Sequence, residues 1–155
     1  MALNGIDISS WQNGINIAVV PCDFVVIKAT EGINYVNPDY MRAYGQAKAA
    51  GKCLGIYHYA NGGNIQAEAD YFLGNVGNRL GEAMLVLDWE AGNNSSFSNC
   101  DYAWCKSWLD YVYSKTGVHP ILYCSQSISY KFDNIGNYGL WIAQYANNDP
   151  TGYQD

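Results

Sequence analysis

The chain has 155 residues, of which 49% are apolar and 14% charged, so it is long enough for one domain with a substantial core. This balance excludes an intrinsically disordered chain, because disorder requires few apolar residues and a high charge. The formal net charge is −6 and the basic residues form no cluster, which argues against nucleic acid as a partner and against an electrostatic membrane anchor.

The sequence contains no pattern typical of a membrane-spanning or export segment. Its first residues lack both a basic stretch and an apolar one, and no stretch approaches the roughly 20 apolar residues that cross a bilayer. We therefore expect a soluble protein that is made in the cytoplasm without a signal peptide.

The five cysteines are odd in number and include no Cys-x-x-Cys pair, and the chain has only two His. This set is a poor one for zinc, so we expect free thiols, no metal site and no cofactor. Cys22, Cys53 and Cys124 lie at or within expected strands, where we predict that they are buried as small apolar side chains.

Apolar strands alternate with helical patterns along the chain, which predicts an α/β protein with parallel strands. In chain order, we expect strands at residues 5–11 and 24–30, a helix at 38–50, a strand at 53–59, a helix at 65–76 and a strand at 83–90. A third helix begins near the capping-box-like pattern Ser98-x-x-Asp101 and ends at Gly117, and strands follow at 120–125 and 140–146.

Six strands with helical crossovers fit either a doubly wound sheet or a barrel. No G-x-G-x-x-G motif or P-loop follows any strand, which removes the usual nucleotide-binding versions. In both architectures the chemistry lies at the carboxyl ends of the strands. Polar residues are concentrated at those ends: Asp7, Ser9, Glu31, Tyr57, His58, Tyr59, Asp88, Glu90, Tyr123, Ser125 and Gln144.

The strongest single signal is the apolar strand that ends in Asp88-Trp89-Glu90. Residues two apart on a strand point to the same face, with Cα atoms about 7 Å apart. Two carboxylates on one face suit cleavage of a glycosidic bond, in which one group donates a proton and the other stabilises positive charge. The alternative is an acidic loop in solvent, and the convergence of polar strand ends favours an active site.

Five motifs at these strand ends resemble glycoside hydrolase family 25, the muramidases of the Chalaropsis-type lysozyme and many phage endolysins. In order they are Gly5-Ile6-Asp7-Ile8-Ser9-Ser10-Trp11-Gln12, Val26-Ile27-Lys28-Ala29-Thr30-Glu31-Gly32, Gly55-Ile56-Tyr57-His58-Tyr59, Leu87-Asp88-Trp89-Glu90 and Leu140-Trp141-Ile142-Ala143-Gln144-Tyr145. The resemblance covers nearly the whole chain. It implies a flattened, irregular, TIM-like (β/α) barrel that hydrolyses the β-1,4 bond from N-acetylmuramic acid to N-acetylglucosamine in peptidoglycan.

The resemblance also implies roles for three acids. Glu90 matches the general acid, which must stay protonated near neutral pH, and neighbouring carboxylates raise the pKa of such a group. Asp88 has two open roles, as a nucleophile or as the group that orients and stabilises the substrate acetamido group during its own attack. We favour the second role because muramyl substrates carry that group. Asp7 then tunes the charge of the pair or holds the sugar.

Several side chains besides these acids have expected roles of their own. Tyr57 and Tyr123 are the favoured sugar contacts, and Glu31 and Gln144 are further candidates for substrate binding. We expect His58 to be a hydrogen-bonded residue at the barrel rim rather than a catalytic base. Lys28 lies in an apolar strand, so we expect it to pair with a carboxylate, because a lone buried ammonium is unfavourable. The simplest expectation for three tryptophans is packing: Trp11, Trp89 and Trp141.

Members of the resembled family continue for several dozen residues, with a Trp-Gln-Tyr strand and a Val-Asp-x-Asn motif that holds a fourth acid. Asp149 and Asp155, near the end of this chain, do not match that motif. We therefore expect residues 1–155 to form one catalytic domain that lacks the last strands of the barrel, with unpaired strand edges that favour self-association.

Two other functions compete with that of a muramidase. A non-catalytic cell-wall-binding module would keep the groove without turnover. A chitinase of family 18 is disfavoured, because Ala83 and Val86 stand where that family carries further Asp residues. We expect the protein to act on the bacterial cell wall, outside the cell or after phage lysis.

Overall fold

One curled, mainly parallel sheet organises residues 2–144, which are the residues that the computed structural model describes. Its strands are β1 (Gly5–Ile8), β2 (Phe24–Glu31), β3 (Tyr35–Val36), β4 (Cys53–Tyr59), β5 (Met84–Trp89), β6 (Ile121–Ser125) and β7 (Gly139–Ala143). The spatial order is β1-β2-β4-β5-β6-β7, all parallel, and the short β3 pairs with β2 in the antiparallel sense. The sheet forms the curled half of a TIM-like barrel, which confirms the predicted α/β class.

The helices connect the strands on the outer face of this sheet. They are α1 (Tyr40–Ala49), α2 (Ile65–Val76), α3 (Asp101–Thr116) and the short α4 (Gln126–Ser129). The Asn64 side chain caps α2 by accepting a hydrogen bond from the Ala67 N–H at 3.0 Å. Gly117 ends α3 in the left-handed conformation, at φ 70°, which glycine adopts without strain.

The core lies between the sheet and the helices α1, α2 and α3. Leu85, Leu87 and Trp89 alternate along β5 toward this layer and are fully buried, as are Phe72 of α2 and Trp108 of α3. Burying each side chain of this size stabilises the fold by about 1.5–3 kcal/mol. Because successive strand residues point to opposite faces, the residues between them face the concave side.

The strand predictions hold within a few residues, with informative differences. The first strand ends at Ile8, because Ser10–Gln12 form a 3-10 turn that Ser9 and Gln12 close with reciprocal hydrogen bonds. The third helix begins at Asp101, whose Oδ1 accepts the Ser98 N–H at 2.8 Å. Residues 145–146 of the last expected strand, like the tail that holds Asp149 and Asp155, lie outside the described residues.

All five cysteines are free thiols, but their burial differs from the expectation. Cys124 is buried as predicted, whereas Cys53 is exposed and Cys22 is half-buried. The prediction for Cys53 is wrong because this residue is the first of β4, and the first buried residue of the strand is only its third. Within residues 2–144 no helix is both long and apolar enough to span a bilayer.

Candidate active site

A cleft of about 280 Å³ opens on the concave side, at the carboxyl ends of the parallel strands. It is lined by Asp7, Ser9, Ser10, Trp11, Lys28, Tyr57, Tyr59, Val86, Asp88, Glu90, Tyr123 and Trp141. The register sets one row of these side chains next to each other on four adjacent strands: Tyr59, Asp88, Tyr123 and Trp141. Strand alternation and register therefore bring together residues that are far apart in the sequence.

Asp88 is the most deeply placed acid of the cleft. Its side chain is only 8% exposed, and its Oδ1 has no hydrogen-bond partner among residues 2–144. Burial raises the pKa of Asp88 well above its usual value, and the charges of Glu90 and Asp7 raise it further. The positive charge of Lys28 acts in the opposite direction.

Glu90 and Asp7 occupy less buried positions in the same cleft. Burial, and then the charge of Asp7, raises the pKa of Glu90, while Lys28 lowers it. Asp7 on β1 has an exposed side chain, yet shielding by the surrounding protein still raises its pKa against a backbone hydrogen bond that lowers it. All three acids therefore favour the protonated form more than free carboxylates do.

Lys28 is the one basic side chain among the described residues that line the cleft. Its Nζ lies 2.6 Å from Glu31 Oε2 and 4.7 Å from the centre of the Tyr59 ring. The predicted pairing of Lys28 with a carboxylate is confirmed. Burial alone would raise the pKa of Glu31, but hydrogen bonds from Lys28 and Asn93, with the charge of Lys28, lower it overall.

Aromatic side chains form the walls of the cleft. The ring of Tyr123 meets that of Trp141 edge to face, with centroids 5.0 Å apart. Burial and the nearby carboxylates raise the pKa of Tyr57 and raise that of Tyr59 to about 12, so both hydroxyls remain neutral donors.

Of the three tryptophans that were expected to pack, Trp11 does not, and Trp141 packs only in part, against Tyr123. Trp11 is 90% exposed, and Trp141 is half-buried, and both line the cleft. Trp89 is buried as expected, and its Nε1–H donates to Asp101 Oδ1 at 2.8 Å. Strand alternation explains the difference, because Trp89 follows Asp88 and so points to the opposite face of the sheet.

His58 lies behind the cleft, between the sheet and the helices, rather than at the rim. It is fully buried and its ring stacks on Trp108, with centroids 5.7 Å apart. Thr30 Oγ1 lies 2.8 Å from its Nδ1, and Glu68 Oε2 lies 3.0 Å from its Nε2. The predicted hydrogen bonding is confirmed. Burial lowers the pKa of His58, and the hydrogen bond and charge of Glu68 act in the opposite direction.

Glu68 links the buried His58 to the loop that follows β4. Its carboxylate accepts the backbone N–H of Asn61 at 3.0 Å and that of Gly63 at 2.7 Å. The preceding residue, Ala60, donates its N–H to the carbonyl of Asp88 at 3.1 Å. Sequence reasoning missed Glu68, which looks like one more acid on an amphipathic helix.

The structure brings most of the predicted site residues together. Asp7, Asp88, Glu90, Tyr57 and Tyr123 all line the cleft. Two other candidates lie beside it: Glu31 contacts the cleft through Lys28, and the exposed Gln144 follows β7 outside the lining. Residues 2–144 contain no group of three or more His, Cys, Asp or Glu arranged to hold a metal ion.

Three carboxylates and aromatic walls at the carboxyl ends of a parallel, barrel-like sheet are the features of a glycosidase. The family model described as Glycosyl hydrolases family 25 matches residues 6–155. The chain belongs to this family.

Individual proteins similar to this chain are consistent with the family match. The chain is similar to the N,O-diacetylmuramidase of Chalaropsis sp, with 36% identity over 81% of this chain and 67% of the relative. It is 30% identical to the autolytic lysozyme of Clostridium acetobutylicum over 96% of this chain, but it spans only 47% of that protein. Among solved structures, the muramidase from Trichobolus zukalii is similar, with a TM-score of 0.79 and 29% identity over 95% of this chain and 79% of that one.

Proposed function

We propose that the protein is a muramidase that hydrolyses the β-1,4 bond from N-acetylmuramic acid to N-acetylglucosamine in bacterial peptidoglycan. One observation carries the proposal: Asp88 and Glu90 share a sugar-sized, aromatic-walled cleft with Asp7. The names of the related muramidase and lysozyme support the same substrate.

Glu90 is the proposed general acid. It stands at the end of β5, less buried than Asp88, where a leaving oxygen can reach it. Burial raises the pKa of both carboxyls, and the charge of Glu90 raises that of Asp88 further, so the two groups together favour sharing a proton. A bound sugar removes water from Glu90 and thereby raises its pKa further, which moves the shared proton toward Glu90.

Asp88 is the proposed partner of the substrate acetamido group. Its unpaired Oδ1 is available to accept the acetamido N–H, and this bond stabilises the carboxylate once the proton has moved to Glu90. The acetamido oxygen then attacks the anomeric carbon while Glu90 protonates the leaving oxygen. In the second half, the Glu90 carboxylate takes a proton from water as the water attacks the anomeric carbon and releases the acetamido oxygen.

The decisive experiment measures new reducing ends released from purified cell walls. Glu90→Gln keeps the size of the side chain but cannot donate the proton, so we expect release to fall about a thousandfold. Glu82→Gln is a matched control, because Glu82 pairs with Lys48 on the exposed surface, away from the cleft. N-acetylmuramic acid must appear at the new reducing ends.

The non-catalytic cell-wall-binding module is not favoured, and the same assay separates it from the enzyme. Wild-type protein that binds cell walls but releases no reducing ends would contradict the proposed muramidase. The assisted route has its own test, a substrate whose 2-acetamido group is replaced by a hydroxyl. We expect its cleavage to be slower by at least about a hundredfold, whereas an undiminished rate would favour Asp88 as a nucleophile.

Two expectations about partners follow from the surface. The net charge of −6 gives no support to nucleic-acid binding, which can be checked by gel-shift measurements at low salt. In the described part of the chain, β1 and β7 each pair with one neighbour, so we propose that these edges favour self-association. Sedimentation at several concentrations tests this.

A further inference from the structure

Trp11 has the largest exposed fraction among the exposed large apolar residues of the described chain, at 90%. Trp89, Trp104 and Trp108 are all buried. An isolated exposed apolar side chain is common on protein surfaces. Trp11 differs because it stands inside the lining of the cleft that holds the three acids.

The turn that carries Trp11 is held in place before any ligand binds. Ser9 Oγ accepts the Trp11 N–H at 3.2 Å, and Gln12 Oε1 accepts the Ser9 N–H at 2.9 Å. The Tyr35 hydroxyl donates to Ser10 Oγ at 3.2 Å, which ties the turn to β3. A fixed backbone loses little conformational entropy when a ligand covers the indole, so more of the contact energy contributes to affinity.

Trp11 follows β1, at one edge of the sheet, and Trp141 lies on β7, at the other edge. Asp88 and Glu90 come from β5, between these edges. A glycan strand that places one glycosidic bond against the acids therefore extends toward both aromatic walls. The hydroxyls of Ser9 and Ser10 also line the cleft on the Trp11 side, where they can bind sugar hydroxyl or amide groups.

We propose that Trp11 is a stacking platform for a pyranose ring of the glycan strand, on the β1 side of the catalytic acids. This inference rests on the proposed muramidase function and adds a residue that holds a sugar away from the cleaved bond. A pyranose ring presents a face of C–H groups, which pairs with the flat apolar face of an indole. The acids act on the bond, whereas Trp11 determines how firmly a longer strand is held.

Fluorescence provides a direct readout that does not depend on turnover. The probe is the tetrasaccharide of alternating N-acetylglucosamine and N-acetylmuramic acid, bound to the Glu90→Gln variant so that it stays intact. Because Trp11 is the most exposed tryptophan of the described chain, it dominates quenching by acrylamide. We expect the bound tetrasaccharide to protect Trp11 from acrylamide and to shift the fluorescence emission to the blue. Both changes should disappear in the Glu90→Gln/Trp11→Ala variant.

Kinetics test the same platform in the active enzyme. A platform remote from the reacting atoms contributes equally to the ground state and the transition state, so its loss raises KM and leaves kcat unchanged. For Trp11→Ala on soluble glycan strands we expect KM to rise about tenfold, as for the loss of one stacking contact. Trp11→Tyr should recover most of the affinity. Tyr130→Ala, at an exposed aromatic residue outside the cleft, should leave both constants unchanged.

The outcomes separate the platform from the proposed function. Calorimetric binding of the tetrasaccharide without protection of Trp11, or an unchanged KM in Trp11→Ala, would overturn the platform and leave the muramidase intact. Protection by the free stem peptide, with none by the tetrasaccharide, would also overturn it, since the occupant would be a peptide. Failure of the wild type to bind the glycan or to release reducing ends would overturn both.

Discussion

Asp88 and Glu68 are both buried carboxylates, at 8% and 1% exposure, but they differ in their partners. Glu68 accepts hydrogen bonds from two backbone N–H groups and contacts His58. Asp88 Oδ1 has no partner among residues 2–144, and three other acids raise the pKa of Asp88. Burial alone therefore does not identify a catalytic carboxylate. A satisfied buried acid holds structure, whereas an unsatisfied one is available to a substrate.

The two carboxylates lie on opposite faces of the same sheet. His58, the partner of Glu68, stands on β4 between Tyr57 and Tyr59, which face the cleft. Strand alternation thus sends one side chain into the helix layer and its neighbours into the site. The loop that Glu68 holds begins at Ala60, whose N–H donates to the backbone carbonyl of Asp88. Glu68 therefore helps to position the backbone of Asp88.

The largest effect on stability is expected for Glu68→Gln. The amide offers one acceptor where the carboxylate has two, and its NH₂ group faces donors that then lose a partner. Each buried donor left without its acceptor costs about 1–3 kcal/mol, so we expect a total loss of about 3 kcal/mol. Urea unfolding should show this loss, and the exposed Glu82→Gln should leave the midpoint unchanged. An unchanged midpoint for Glu68→Gln would contradict the structural role.

Asp88→Asn is expected to increase the free energy of unfolding. Because the pKa of Asp88 is raised in the folded state, the unfolded chain releases this proton first, and wild-type stability falls as pH rises above about 4. Asparagine does not titrate. The stability of the variant relative to the wild type therefore rises by up to about 1.4 kcal/mol per pH unit, and it levels off above the pKa that Asp88 has in the folded protein. We expect a gain of about 1–3 kcal/mol at pH 7, with loss of activity.

Urea unfolding at pH 4 and pH 7 measures this difference directly. At pH 4 the variant and the wild type should have similar stability, because Asp88 is then protonated in the folded state and about half protonated in the unfolded state, which leaves a difference of only about 0.5 kcal/mol. A variant that is less stable than the wild type at pH 7 would contradict this prediction, because it would show that Asp88, like Glu68, is stabilised by hydrogen bonds in the fold.

The smallest effect is expected for Lys28→Met. The positive charge of Lys28 lowers the pKa of both Asp88 and Glu90, so its removal raises both values. Both limbs of the pH–activity profile should therefore move upward, by about half to one unit. Lys115→Met, at an exposed residue of α3, is the matched control. A downward shift would contradict the assigned sign.

Much of the fold could be predicted because its signals are local. The helix at 65–76 and the strand at 53–59 match the observed bounds, since periodicity and punctuating residues mark both ends. The two-residue β3 and the short α4 were not anticipated, because such short elements depend on contacts with their neighbours. Asp88 and Glu90 stood out because carboxylates are rare at the end of an apolar strand.

The predictions about single side chains succeeded less evenly, for a physical reason. Trp11, Trp89 and Trp141 are alike as residue types, and only strand alternation and the 3-10 turn after β1 decide which of them are exposed to the cleft. Glu68 and Glu31 are likewise the same residue type, but Glu68 accepts hydrogen bonds from backbone N–H groups, whereas Glu31 pairs with Lys28.

The sequence by itself determined the α/β alternation, the family motifs and the acids that stand at strand ends, because these depend on residue type and spacing along the chain. The tertiary structure decided which acid lacks partners, which tryptophan is exposed and which histidine is buried. These properties depend on register across the sheet and on what packs against each face, and neighbours in space contribute them rather than neighbours in sequence.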